Sequence, residues 1–449
     1  MAEGMIESLA AFDIFSELSI PNARAKERSR RLKTSNLSDL LPLYGPWVGH
    51  NRPSILLRSR YGTLLGIDPF APELTNFCQI ICGSSGSGKS YLTNLLLLQM
   101  LNDSPKVFIV DIGGSYKKLC DNLGGQYVPL GVDVVQSLNP FDLLDGEVLP
   151  SNSKIKFLVG LIEMMTKEDK DLSLNRLQRV EIEEAIQKVY DKEKAPTLAH
   201  LREILLSHND SEIKRIGRIL TSWCGNSPYG KFVDRPTTIQ LKRPVVCFDL
   251  KGMEAYPDLQ AACLYIITDF VWREVQRDRS TKKFLVFDEC WKLLESESTF
   301  IAETFRTFRK YLGSVIAISQ NIDDFAKSKV AAAILSNSAT KWILMQKGAD
   351  QARLQEVLQL NPNEMDAIAS LHQEKGVYSE AFLMMGDRHC VVVVEATPLE
   401  YWIATTDPSD VSTFDQALKE SPNVDHLSIL KILAEKYPRG VAAAQRNSS

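Results

Sequence analysis

Residues 82–92 read CGSSGSGKSYL, and the positions from Gly83 to Ser90 fit the spacing G-x-x-x-x-G-K-[ST]. Glycine at Gly83, Gly86 and Gly88 lets the backbone turn tightly and approach a ligand closely. Ser84, Ser85 and Ser87 between them are small. In such a loop the N–H groups point inward at an anion, and Lys89 adds a mobile positive charge. The Ser90 hydroxyl offers a hard oxygen to Mg²⁺. The chemistry is the cradling of a polyphosphate, with Lys89 reaching the β- and γ-phosphates of ATP. Tyr91 follows directly and completes the residues expected at the nucleotide.

Holding phosphates is not yet hydrolysing them. Turnover needs a second carboxylate, a group that orients water and positive charge near the γ-phosphate. The run FLVFDECWKLL supplies an apolar strand, Phe284 to Phe287, with Asp288 and Glu289 at its carboxyl end. Asp288 would hold Mg²⁺ through water, and Glu289 would orient or deprotonate the attacking water. The same pair could instead cap the next helix. SVIAISQN ends a second strand in Gln320, an amide able to sense the γ-phosphate or simply to close a strand end. ETFRTFRKYLG lies between them with Arg306, Arg309 and Lys310. One of these could reach a neighbouring subunit's nucleotide, which implies a ring; equally they could form a solvated basic helix end. IVDIGGSYKKL places Asp111 at another strand end before Gly113 and Gly114. That is either a second loop at the site or a tight strand–helix turn.

These residues require elements to position them. NFCQIIC before the loop reads as a buried strand and YLTNLLLLQML after it as a buried helix, the arrangement phosphate binding needs. KVFIVD (106–111), PVVCFDL (244–250), KFLVFDE (283–289), SVIAISQ (314–320) and KWILMQ (341–346) are short runs suited to parallel strands covered on both faces. EAFLMMGDRHCVVVVE (380–395) reads as an antiparallel hairpin at the sheet edge, and SILLRSRYGTLLGID (54–68) as another hairpin leading into the core. No strand is expected from about 148 to 240. There NRLQRVEIEEAIQKVY spaces Leu177, Val180, Ile182, Ala185, Ile186, Val189 and Tyr190 as a helix would. Ninety residues is too long for one crossover, so the stretch is expected to be an all-helical insertion in an α/β core. The expected divisions are a helical and basic segment at 1–40, the first part of the core at 41–147, the insertion at 148–240, the second part of the core at 241–410, and a helical segment and tail at 411–449.

The bulk numbers exclude several classes. The chain has 449 residues, ordinary globular composition and a net charge of −4, so no global basic character points to nucleic acid. Its eight cysteines include no C-x-x-C pair, its six histidines are scattered, and no apolar run approaches membrane-spanning length. Cys78, Cys82, Cys247 and Cys390 fall in expected core strands, which fits a reducing compartment.

Taken in order, GSSGSGKSYLTN, VDIGGSYKKL, SLNPFD, FDECWKLL and RTFRKYLGSVIAISQN resemble the TraC-type ATPases of type IV secretion systems, as does LPLYGPW at 41–47. The resemblance covers about 40 to 405. It implies a RecA-like P-loop NTPase with a helical insertion, ATP and Mg²⁺ at Lys89, Ser90 and Asp288, water at Glu289 and the γ-phosphate at Gln320. It places the family's Arg-Lys pair on Arg309 and Lys310, which favours Arg309 over Arg306 as the finger. It further implies a ring, expected as a hexamer, at the cytoplasmic face of the bacterial inner membrane, partnered by secretion-channel components and by DNA or protein cargo. Leu312 lengthens the family's R-K-x-G spacing, and the sequence begins just before the ATPase part, where the family usually carries a large N-terminal domain; the expectation is a fragment, or a split or shortened homologue whose N-terminal domain or partner chain is not included in it. A DNA-pumping motor of the coupling-protein or FtsK-like class is the alternative, and a nucleotide-regulated scaffold a third.

Overall fold

A computed structural model describes residues 47–131, 136–143, 147–166, 174–239, 243–289, 307–325, 329–346 and 348–446. The segment expected at 1–40, Arg306, and the residues after Glu289 in the FDECWKLL run lie outside them. From Val48 onward the chain forms one compact unit.

Its centre is a twelve-stranded mixed sheet. The strands are β1 (Ile55–Ser59), β2 (Leu64–Ile67), β3 (Cys78–Cys82), β4 (Lys106–Asp111), β5 (Gln126–Gly131), β6 (Val245–Gly252), β7 (Lys283–Asp288), β8 (Gly313–Ser319), β9 (Ser338–Ile343), β10 (Gln373–Glu374), β11 (Tyr378–Met385) and β12 (Arg388–Val394). Their order is β2-β1-β12-β11-β9-β3-β8-β7-β4-β6-β5, with β10 paired to β11. From β9 to β5 every neighbouring pair is parallel. These strands are covered on both faces, and β3, β7 and β8 are buried along their whole length. That burial is why they read as continuous apolar runs rather than alternating ones.

The antiparallel end is wider than the single edge hairpin read at 380–395. β11 and β12 pair through Ser379–Val394 to Met385–Arg388, but β1 then pairs with β12 and β2 with β1. The hairpin of residues 54–68 is therefore the outer edge, and its alternating burial in β1 is that of a strand with one wet face. At the other end β5 was not legible, because Pro129 and two flanking glycines, Gly125 and Gly131, read as a turn.

Among the described residues no strand lies between Gly131 and Val245. Helices run over Asn152–Thr166, Arg176–Lys192, Leu198–Leu206 and Ser211–Ile219. Asn175 and Gln178 form a capping box for the second, and Asp210 caps the last. Ile182, Ala185, Ile186, Val189 and Tyr190 are buried as expected, whereas Leu177 and Val180 are exposed. At 100° per residue these two fall on the opposite face of the helix. The helical stretch shares one apolar core with the sheet.

Candidate active site

β3, fully buried, delivers the chain into the loop at Gly83, and the helix Lys89–Met100 carries it away. Gly86 and Gly88 adopt φ of 78° and 93°, which side-chain-bearing residues rarely adopt. At Gly83 a Cβ would come 2.5 Å from Ser87 Oγ and 2.9 Å from Leu344 Cβ, so only glycine fits. The loop is anchored from both flanking strands: Gly83 N donates to Ser319 O (3.3 Å), and Ser84 N and Oγ to Met345 O (3.1 and 3.0 Å). Lys89 is buried and its Nζ donates to the loop's own carbonyls, Gly83 O at 2.9 Å and Ser84 O at 3.4 Å. Its Nζ also lies 3.8 Å from Glu289 Oε1.

The acidic side of the site comes from the neighbouring strand ends. Asp288, the last residue of β7, receives the Ser90 hydroxyl at 3.3 Å and the hydroxyl of the fully buried Tyr116 at 2.9 Å, both on Oδ2. Glu289 takes a left-handed φ of 56°, a strained choice for its residue type, and its N–H donates to Ile318 O at 3.2 Å. Asp111, at the end of β4, accepts from Gly113 N (2.9 Å) and Ser115 N (2.7 Å). The DIGG segment is thus both a tight turn and a wall of the cleft.

Burial, followed by the charge of Asp111, pushes the Asp288 carboxyl up to about 7. Burial also raises Asp111 and Glu289, the latter opposed by Lys89 and by hydrogen bonding from Gln320. In the unfolded chain these groups release their protons near pH 4. Between about pH 4 and 7 the folded chain therefore holds protons that the unfolded chain has lost, and folding stability falls as pH rises through that window. We expect the thermal midpoint of nucleotide-free protein to be higher at pH 5 than at pH 7. Asp288→Asn should flatten that dependence; an equal slope in parent and variant would count against Asp288 as its source.

Of the other expected site residues, Gln320 follows β8 and lines the same cleft. Arg309 does not approach its own loop. It sits in a short 3₁₀ turn, Phe308–Tyr311, donates to Thr75 O and lies over the Phe77 ring, 5.6 Å from its centroid. Thr75 precedes β3, and the loop follows it, so about seven residues of extended chain, on the order of 20 Å, separate them. Lys310 is exposed. The extra residue of this segment is absorbed at Leu312, which closes the turn with a left-handed φ of 50°. None of the SLNPFD residues lines the cleft. Asn139 Nδ2 donates to Pro196 O at 2.9 Å and Ser137 Oγ to Pro236 O at 2.6 Å, tying the entry of the helical stretch to its middle and to its end.

The cleft, ≈ 440 Å³, has a wall the sequence did not reveal. It is formed by the β10–β11 turn, Gln373 to Ser379, and by Tyr401 and Thr405–Pro408. Gln373 Nε2 donates to Gly86 O at 3.3 Å, and Lys375 pairs with Asp407 at 2.7 Å. The Tyr91 and Tyr401 rings are 5.9 Å apart at its edge. The one available signal was a polar, glycine-containing QEKG before the apolar strand; nothing local says that it turns toward residue 86.

Strand, glycine loop and helix, with an acidic pair at the end of the next-but-one strand of a largely parallel sheet, define the P-loop NTPase class. The chain belongs to the TraG P-loop domain family, whose model matches residues 69–436. It is 26% identical to TraC of Escherichia coli strain K12 over 430 residues, covering 88% of this chain and 47% of that protein. It is 22% identical to the type IV secretion system protein VirB4 of Bartonella quintana, over 83% of this chain and 47% of that one. The chain thus spans about half the length of these relatives. The solved structure of VirB4 from Thermoanaerobacter pseudethanolicus superposes with a TM-score of 0.67 at 24% identity, covering 78% of this chain and 99% of that one. The bacterial conjugative coupling protein TrwB gives 0.53 at 12% identity, covering 82% and 92%. Both likenesses establish the RecA-like P-loop fold expected from the sequence.

Proposed function

We propose that this chain is the ATP-hydrolysing motor part of a type IV secretion or conjugation machine. The observation that carries the reading is the convergence of Lys89, Ser90, Asp288 and Glu289 at one loop, in a chain whose relatives are named as secretion and conjugal transfer proteins. Residues Gly83 to Tyr91 would hold the phosphates of ATP, with Lys89 leaving the Gly83 and Ser84 carbonyls for the β- and γ-oxygens. The donors beside Ser90, a hydroxyl and a buried carboxylate, are hard oxygens that suit Mg²⁺. Ser90 would ligate it directly and Asp288 through water; when bound, Mg²⁺ neutralises charge on the β- and γ-phosphates. Tyr116 holds the Asp288 carboxylate in place. Glu289 orients the attacking water and accepts its proton, and Gln320 fixes Glu289 and the γ-phosphate side. Arg309 belongs to this reading as a finger given to a neighbour in a ring.

Among the described residues no helix is long and apolar enough to cross a membrane. In this reading the chain works as a ring, in the number expected above, against inner-membrane channel components at the cytoplasmic face.

The test is Mg²⁺-dependent phosphate release from ATP. The parent should turn over, and Lys89→Ala should lose turnover and most nucleotide affinity while keeping its thermal midpoint. Normal rates in Lys89→Ala would remove the loop from the mechanism. The coupling-protein likeness supports a second reading, a DNA-pumping motor; stimulation of ATP turnover by added DNA would favour it. Tight ATP binding without turnover in the parent would favour the scaffold.

A further inference from the structure

We propose that Ser379, in β11, is a phosphate-binding residue of this site, addressing the α- and β-phosphates from the side opposite Glu289 and Gln320. This rests on the nucleotide reading above and adds a ligand that the glycine-loop pattern does not contain.

Ser379 lines the cleft, is 5% exposed, and its Oγ has no hydrogen-bond partner. Ser87 Oγ, within the loop and 2% exposed, is in the same condition. Buried hydroxyls are normally paired, and an unpaired one lining a ligand cleft marks where a ligand oxygen belongs. The position says which oxygens. Ser379 Oγ lies 3.7 Å from where a Cβ would stand on Gly88, the residue that opens the Lys89–Met100 helix. N–H groups at that point of the loop cradle the α- and β-phosphates. The sheet order puts β9 and β11 on one side of β3, and β8 and β7 on the other. Glu289 and Gln320 leave β7 and β8, so the water-attack side and the Ser379 side flank the loop from opposite directions.

The hydroxyl is also held ready. Glu380, the next residue, is buried and gripped by Arg60 through two bonds, Nε to Oε1 at 2.8 Å and Nη2 to Oε2 at 2.6 Å. His372 N donates to the same Oε2 at 2.9 Å. Gln373 binds the loop at Gly86 O. The segment carrying Ser379 is therefore fixed to the outer hairpin behind and to the phosphate loop in front, and the serine need not be ordered by the ligand.

The experiment is displacement of a fluorescent ATP analogue from the full chain by ADP and by a non-hydrolysable ATP analogue, for parent, Ser379→Ala and Lys89→Ala. A hydrogen bond to a charged oxygen predicts about a 10-fold loss of affinity in Ser379→Ala, by the same factor for both ligands, since both carry the α- and β-phosphates. Unchanged affinity for both, with Lys89→Ala impaired, would mean that the hydroxyl meets only water and would overturn the proposal. Loss confined to the ATP analogue would place the hydroxyl at the γ-phosphate and overturn it equally. If Lys89→Ala also binds normally, the nucleotide reading itself falls. Should the alanine variant not fold, Ser379→Cys keeps the volume and substitutes a weak donor.

Discussion

Glu289→Gln is expected to retain ATP and to slow its hydrolysis by about 10²- to 10⁴-fold. Glutamine keeps the shape and hydrogen bonding of the side chain and removes the proton acceptor. The position justifies the expectation. Glu289 leaves β7 with a left-handed backbone, 3.8 Å from the Lys89 ammonium and beside Gln320. A residue that merely caps a helix has no need of that strained geometry. Phosphate release under single-turnover conditions, together with nucleotide retention on a filter, checks both halves. Hydrolysis at the parent's rate would make Glu289 a structural carboxylate. Loss of both binding and turnover would indicate instead that glutamine disturbs Lys89.

The second large effect is expected at Arg309. It stands at the opposite end of β3 from its own loop, bonded to Thr75 O and stacked over Phe77. A residue so placed can reach a nucleotide only on another copy of the chain. Arginine suits the task, being charged at any physiological pH and able to meet two phosphate oxygens with its planar fork. Arg309→Ala should still bind ATP through Lys89 yet lose on the order of 10³-fold or more in turnover. The parent's turnover per chain should rise with protein concentration as copies assemble. Mixing Arg309→Ala with Glu289→Gln chains separates this from a structural role. Some interfaces would then join an intact Arg309 to an intact Glu289, and partial activity should return. A dead mixture of co-assembled chains, or a large fall in the thermal midpoint of Arg309→Ala, would make the arginine a structural tie between the β8 entrance and the segment before β3.

The residues that the sequence showed plainly share one property: their partners are near in the chain or set by one strand end. The glycine loop needs only its own spacing and a strand and helix on either side, and all three are local. Asp288 and Glu289 are marked by the apolar run that buries β7. What stayed hidden depends on contacts between distant segments. Ser379 meets Gly88 because β11 runs beside β9 and β9 beside β3, the latter a pairing that joins Ile81 to Trp342 across most of the chain. Tyr401 and Thr405 enter the cleft because the helix Pro398–Ala404 packs on the loop's helix, where Asn94 Nδ2 donates to Ala404 O at 3.0 Å. The outer position of the first hairpin follows from Arg58 pairing with Val393, again a long-range choice. SLNPFD was legible as a resemblance but not in its role, since a motif does not say whether its asparagine faces a ligand or a carbonyl such as Pro196 O.

ATP is expected to sit at Gly83 to Ser90, served by Asp288 and Glu289. The most direct measurement is an experimental structure of the chain with a non-hydrolysable ATP analogue and Mg²⁺. The phosphates should lie within the loop, and Lys89 Nζ, now 2.9 Å from Gly83 O, should have moved onto the β- and γ-oxygens. Mg²⁺ should stand between Ser90 and Asp288. A nucleotide bound elsewhere, or Lys89 still closed on Gly83 O with the analogue present, would contradict the claim.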